Sequence, residues 1–297
     1  MRYNSQNINI QSLSSWINGD YTTVDVLRLD RIHPVISGNK WFKLKYYLEA
    51  AERTGKNTIA SFGGAYSNHI AALAYAGREH GLKNIGFIRG EAHSPLSHTL
   101  TAAQACGMEL VFINRSDYRF KDAIIQTHAD PGWYWIPEGG YGPEGARGAS
   151  EILKLVDVSG YSHILCAVGT GTMMAGLVRT ASANQEVIGI SVMKGNEALQ
   201  KAVDDLLDAG DQQKQHRILH DYHFGGYGKH PSNLVRFMQG LWENEQLPTD
   251  IVYTSKLLFA VKDCIEKKYF HKNSRLLVIH SGGLQGNNSL PPHTLPF

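Results

Sequence analysis

The stretch Ala167-Val168-Gly169-Thr170-Gly171-Thr172-Met173-Met174-Ala175-Gly176-Leu177 runs from an apolar segment through a glycine and threonine loop into a helical pattern. A loop of that composition leaves backbone N–H groups and a helix N-terminus facing outward as an anion seat, and Thr170 and Thr172 add hydroxyl donors. A phosphate fits that chemistry, and so does a tight strand-to-helix turn that binds nothing. A dinucleotide site fits less well. The spacing is not G-x-G-x-x-G, and the next apolar run ends Ile190-Ser191-Val192 without an acidic residue for a ribose.

Outward from this loop, short β-branched runs alternate with helical patterns, the signature of an α/β fold with mostly parallel, twisted sheets flanked by helices. Strands are expected at 24–29, 58–62, 84–88, 109–113, 133–136, 163–168, 187–192 and 275–280. Helices are expected at 39–53, 67–80, 97–106, 117–129, 150–158, 172–182, 233–245 and 256–269. Glycine pairs follow several of the strands, at 63–64, 139–140, 169–171 and 282–283. Parallel strands present their carboxyl ends to the ligand crevice, so these turns are expected to converge on one site.

The chain has 297 residues, with 42% hydrophobic and 19% charged residues and a formal charge of +2. That composition is ordinary for a folded enzyme, and no basic stripe favours nucleic acid or a membrane surface. The N-terminal segment MRYNSQNINIQSLSS lacks the apolar core of a leader, and no run approaches the ~20 apolar residues of a membrane helix. A cytoplasmic protein is expected. Cys106, Cys166 and Cys264 are too widely spaced for a metal or redox motif, and reduced thiols are expected. The 14 histidines include no HExxH, there is no GxSxG elbow, and no metal is expected.

Two further constellations carry possible chemistry. Ser37-Gly38-Asn39-Lys40 enters a helix with a lysine in its first turn, where a cation is electrostatically misplaced. Read alone, that lysine is most simply solvated; as a nucleophile it would need to be partly desolvated. Phe62-Gly63-Gly64-Ala65-Tyr66-Ser67-Asn68-His69 also precedes a helix, and Ser67 suits its N-cap whether or not it faces a ligand.

Together the segments SGNKWFKL at 37–44, FGGAYSNH at 62–69, IPEGGYGPEG at 136–145, AVGTGTMMAGL at 167–177, GGYGKHP at 225–231, DIVYTSK at 250–256 and IHSGGLQG at 279–286 resemble the 1-aminocyclopropane-1-carboxylate deaminase and D-cysteine desulfhydrase family. This is a branch of the tryptophan-synthase-β-like, fold type II enzymes that use pyridoxal 5'-phosphate. The resemblance implies a small domain, 41–144, inserted in a large one made of 1–40 and 145–297, with the cofactor between them and a homodimer as the assembly.

It further implies that Lys40 forms the Schiff base and that Val168, Gly169, Thr170, Gly171 and Thr172 cradle the phosphate. Asn68 is expected at the phenolic oxygen, Tyr253 against the pyridine ring and Thr254 beside its nitrogen. Tyr66, Ser67, Asn68 and Gly140 are expected at the substrate, with Ser67, Tyr227 and Tyr253 near the reacting atoms.

The implied chemistry is elimination or deamination of a small amino acid to a 2-oxo acid and ammonia. Thr254 stands where the family's deaminases carry glutamate and its desulfhydrases threonine, which points to D-cysteine desulfhydrase-like elimination, with the ring-opening deaminase as the alternative. Tyr66 in place of a glutamine and Met173 in place of a hydroxyl depart from the family pattern. They keep a non-catalytic relative in view, and a nucleotide-dependent oxidoreductase stands as the rival from another class.

Overall fold

A computed structural model describes residues 7–16, 22–92 and 95–297; residues 1–6 of the N-terminal segment read for a leader lie outside them. Two sheets form its frame. The larger contains β1 (Ile10–Ser12), β2 (Thr23–Arg28), β7 (His163–Val168), β8 (Glu186–Ser191), β9 (His216–Leu219) and β10 (Arg275–His280), in the order β1-β2-β10-β7-β8-β9. All its pairings are parallel except the edge pair of β1 with β2. The smaller contains β3 (Thr58–Gly63), β4 (Lys83–Arg89), β5 (Met108–Ile113) and β6 (Trp133–Ile136), all parallel in the order β5-β4-β3-β6. Central strands such as β3 and β7 are apolar and buried along nearly their whole length, as strands covered on both faces must be.

Helix α1 (Asn39–Arg53) occupies the expected span and joins the two sheets, burying Trp41, Phe42, Leu44 and Leu48. Helices α2 (Asn68–Glu79), α3 (His98–Ala105), α4 (Lys121–Thr127), α6 (Thr172–Thr180), α8 (Ser232–Glu245) and α9 (Thr254–Glu266) fall within a few residues of their expected positions. The helix expected at 150–158 is displaced: α5 is Pro143–Ala149, and a single tight turn follows at Ile152–Leu155. Its sequence, PEGARGA, is weakened as a helix by two glycines, and packing explains the second of them. A Cβ on Gly148 would sit 1.9 Å from the Phe42 carbonyl oxygen of α1, so the glycine that weakens the helix lets the two backbones touch. The edge strands β1 and β9 and the short helix α7 (Leu199–Asp204) have no counterpart in the expected elements. Among the described residues no helix is long and apolar enough to cross a membrane, and no cluster of His, Cys, Asp or Glu is arranged to hold a metal.

Candidate active site

The strand ends named by their glycine turns do converge. Gly64 after β3, Gly139 after β6, Gly169 and Gly171 after β7, and Gly282 and Gly283 after β10 line one cavity of about 830 Å³. In the smaller sheet β3 and β6 are neighbours while the chain from β3 to β5 runs the other way, so the cavity opens where strand order reverses.

Lys40 lines this cavity from the first turn of α1. The turn before it is held against the far sheet: Gly38 has φ 68°, and a Cβ there would lie 1.8 Å from the Ser281 carbonyl oxygen. Asn39 N–H donates to that same oxygen at 3.2 Å. Among the described residues Lys40 Nζ has only Asn39 Oδ1, at 3.4 Å, as a partner. Burial lowers its pKa to about 8, against a smaller opposing pull from Asp250.

One turn on, on the same helix face, sequence reasoning missed Lys43. It is 3% exposed, and its Nζ reaches the Gly139 carbonyl at 3.1 Å and Thr170 Oγ1 at 3.2 Å. Among the described residues no carboxylate pairs with it, and burial, reinforced by Lys40, pushes its pKa well down. A buried amine facing only neutral oxygens is a costly arrangement unless an anion completes it. The signal lay in SGNKWFKL, where lysines at i and i+3 share a face with the apolar residues Leu44 and Tyr47 of the same helix.

The loop opposite Lys43 supplies the rest of that anion seat. The backbone N–H groups of Gly169, Thr170 and Gly171 have no acceptor among the described residues, and α6 begins at the buried Thr172. Thr170 Oγ1 and Thr172 Oγ1 are 3.0 Å apart. Val168 forms the buried end of β7, and Gly171, φ 83°, turns the chain into the helix. The residues present therefore fit a phosphate monoester: free N–H donors, a helix N-terminus, two hydroxyls and one buried amine. Met173 is buried behind them on the cavity wall.

The remaining sequence-predicted residues divide. Ser67 caps α2 by accepting from Ile70 N–H at 3.3 Å and also lines the cavity, so both of its readings are compatible. Asn68 lines it too, with Oδ1 accepting from Gln285 Nε2 at 2.8 Å, and its Nδ2 has no hydrogen-bond partner among the described residues. Tyr253 lies against the loop: a Cβ on Gly169 would be 3.1 Å from its Cε1. Tyr227 meets Tyr253 edge-on, with ring centroids 6.0 Å apart. Desolvation raises the pKa of both phenols, that of Tyr227 although the residue is 52% exposed, so both stay protonated at neutral pH. Tyr66 is 53% exposed at the mouth and packs on His98. Gly140 is not on the cavity wall; its neighbours Gly139 and Tyr141 are, and it packs on Lys43.

Thr254 is wholly buried and is likewise absent from the wall. Its hydroxyl accepts from Asp250 N–H and donates to Asp250 Oδ1, both at 2.7 Å. Asp250 also accepts from the N–H groups of Val252, Tyr253 and Thr254, fixing the start of α9.

Comparison with known proteins bears on this geometry. Residues 23–282 match the family model described as pyridoxal-phosphate dependent enzyme. A Thermotoga maritima protein provisionally named 1-aminocyclopropane-1-carboxylate deaminase is 30% identical over 88% of this chain and 88% of its own. The D-cysteine desulfhydrase of Salmonella typhi is 28% identical over 90% of this chain and 89% of its own. Among solved structures, a crystal structure of an ACC deaminase homologue superposes with a TM-score of 0.82 at 24% identity, covering 95% of this chain and 90% of that one. A pyridoxal 5'-phosphate-dependent aspartate racemase superposes with a TM-score of 0.70 at 13% identity, covering 98% and 92%. At these identities the two structures speak for the fold alone.

Proposed function

The chain belongs to the pyridoxal-phosphate-dependent enzymes, in the branch of the 1-aminocyclopropane-1-carboxylate deaminases and D-cysteine desulfhydrases, and from that premise we propose that it eliminates a β-leaving group from a small amino acid, as a D-cysteine desulfhydrase does. The products are a 2-oxo acid, ammonia and the leaving group. The observation that carries this reading is the pair Lys40 and Lys43, one turn apart: an amine with almost no fixed partner beside one aimed at the phosphate-type loop.

A cofactor held here would supply the electron sink that makes the α-proton of an amino acid joined to it acidic. Lys40 Nζ, freed when the amino acid takes its place, would take that proton, since a pKa of about 8 leaves a useful neutral fraction near neutral pH. Val168, Gly169, Thr170, Gly171, Thr172 and Lys43 hold the phosphate. Asn68 offers Nδ2 to the phenolic oxygen, and the Ser67 hydroxyl, whose oxygen already caps α2, offers its proton to the substrate carboxylate. Tyr253 supports the ring, and Tyr227 stands over the reacting side chain.

Thr254 supports elimination in particular. Its one hydroxyl proton goes to Asp250, so this position holds no acid that could protonate a ring nitrogen. A shallower sink suffices when the leaving group is as good as a thiolate. The ring-opening deaminase is the second reading, favoured by the protonated Tyr227 and Tyr253 pair as proton donors and by the names of the relatives. A homodimer, a cytoplasmic location and the division into 41–144 and the rest belong to the same proposal. The contribution of residues 58–136 alone to the smaller sheet supports that division.

The test is a screen of D- and L-amino acids and the cyclopropane amino acid for pyruvate, 2-oxobutyrate, sulfide and ammonia. Sulfide and pyruvate from D-cysteine are expected. Formation of 2-oxobutyrate from the cyclopropane substrate alone selects the second reading, and no turnover on any of them overturns both.

A further inference from the structure

His69 has no part in the chemistry above, yet it is built into the cavity. It follows Asn68 in the first turn of α2, lines the cavity wall and is only 2% exposed. Its Nε2 is 2.8 Å from Ser61 Oγ, on the buried strand β3, while its Nδ1 is buried without a hydrogen-bond partner among the described residues. The ring also neighbours the anion seat: a Cβ on Gly140 would lie 3.3 Å from Lys43 Cβ and 3.9 Å from His69 Cε1.

The Ser61 contact sets the tautomer. Ser61 is fully buried, and among the described residues its hydroxyl has no other hydrogen-bond partner. A buried hydroxyl proton needs an acceptor, so Ser61 donates to Nε2 and the ring proton sits on Nδ1. Burial, with Lys40 and Lys43 nearby, holds the imidazole neutral. The result is an uncharged N–H with no acceptor among the described residues, next to a site completed by an anion.

We propose that His69 is a positioning residue whose Nδ1–H, locked by Ser61, donates to an anionic oxygen bound in the cavity, either a phosphate oxygen of the cofactor or the carboxylate of the amino acid. This rests on the cavity holding the cofactor. A neutral donor suits the place, because a third positive charge beside Lys40 and Lys43 would raise the cost of burying them and drain Lys40 of its proton affinity.

Nitrogen-15 NMR of the histidine side chains, assigned through His69→Gln, tests it in three states: cofactor-free protein, protein with pyridoxal phosphate, and that complex with an unreactive amino-acid analogue. The expected spectrum of the cofactor-free protein is the Nδ1–H tautomer, lost to a mixture in Ser61→Ala. The Nδ1 resonance then shifts on adding the cofactor if phosphate is the acceptor, or only on adding the analogue if carboxylate is. Affinities supply the second readout. His69→Asn, whose amide can place a donor where Nδ1 stood, keeps the affinity for the acceptor's molecule, whereas His69→Gln loses about tenfold, the worth of one such bond. An Nε2–H tautomer in the cofactor-free protein, an Nδ1 resonance that moves in neither complex, or equal losses in both variants overturns the inference. A wild-type protein that takes up no pyridoxal phosphate overturns the functional reading beneath it as well, so the two failures are distinguishable.

Discussion

The two sides of the cavity are made of opposite materials. The seat formed by Val168–Thr172, Lys43 and the start of α9 is largely buried, and its polar groups either satisfy one another or converge on one anion position. The opposite rim, with Tyr66, Tyr227, Arg89, Lys121 and Glu138, is open. There Lys121 and Glu138 form an ion pair with both side chains more than a third exposed. The seat can be fixed because the phosphate is always the same. On the proposed reading the rim would meet the varying part of the substrate; the chain departs from the family pattern there at Tyr66, and behind the seat at the buried Met173. Cofactor attachment and substrate choice should therefore fail separately on mutation.

The sharpest break is Lys40→Ala. It is expected to abolish the visible absorbance of bound cofactor and to lower turnover by about a thousandfold or more, the loss of both attachment and general base. Lys43→Met tests the seat without touching the attachment point: cofactor affinity, measured by titration, is expected to fall about 10- to 100-fold, the worth of a charged hydrogen bond to phosphate. On the rim the expectation reverses. Tyr66→Ala is expected to change KM by about three- to tenfold, with cofactor affinity unmoved, because an exposed side chain holds only the substrate. Comparable losses of cofactor in Lys43→Met and Tyr66→Ala would erase the distinction between seat and rim.

The smallest effect is on stability. Burial lowers the pKa values of Lys40 and Lys256 to about 8, whereas an unfolded lysine titrates near ~10.4. Between these values the unfolded chain binds more protons than the folded one, so stability rises with pH there. The melting temperature of the cofactor-free protein is expected to climb from about pH 8 to about pH 9.5 through this term, and less steeply in Lys40→Met.

The fold was largely legible because its central strands are continuous apolar runs and its glycine turns recur at their carboxyl ends. The bounds of α1 and the convergence of four glycine turns followed from that pattern alone. What escaped was set by tertiary contacts. Helix α5 hides in PEGARGA because Gly148 is selected by the approach of Phe42 rather than by helix propensity. The three-residue β1 and the edge strand β9, HRIL, are too short and too mixed to show a period.

At the site, the lysine at residue 40 read alone as a solvated residue and stood out only through the resemblance of SGNKWFKL and its companion segments to a known family, whereas Lys43 looked like one more basic residue on a helix. Only burial distinguishes it, and burial comes from the meeting of α1 with the turns after β6 and β7. Thr254 shows the converse. Its identity was the clue to the reaction, but its hydroxyl is spent on Asp250, so it acts by what it withholds.

The central claim is that Lys40, and not its buried neighbour, carries the cofactor. Reconstitution with pyridoxal 5'-phosphate, borohydride reduction and peptide mass mapping tests it directly. The account predicts the phosphopyridoxyl mass on the peptide at Lys40 and none on Lys43. A label on Lys43, or no covalent label in a protein that has bound the cofactor, would contradict it.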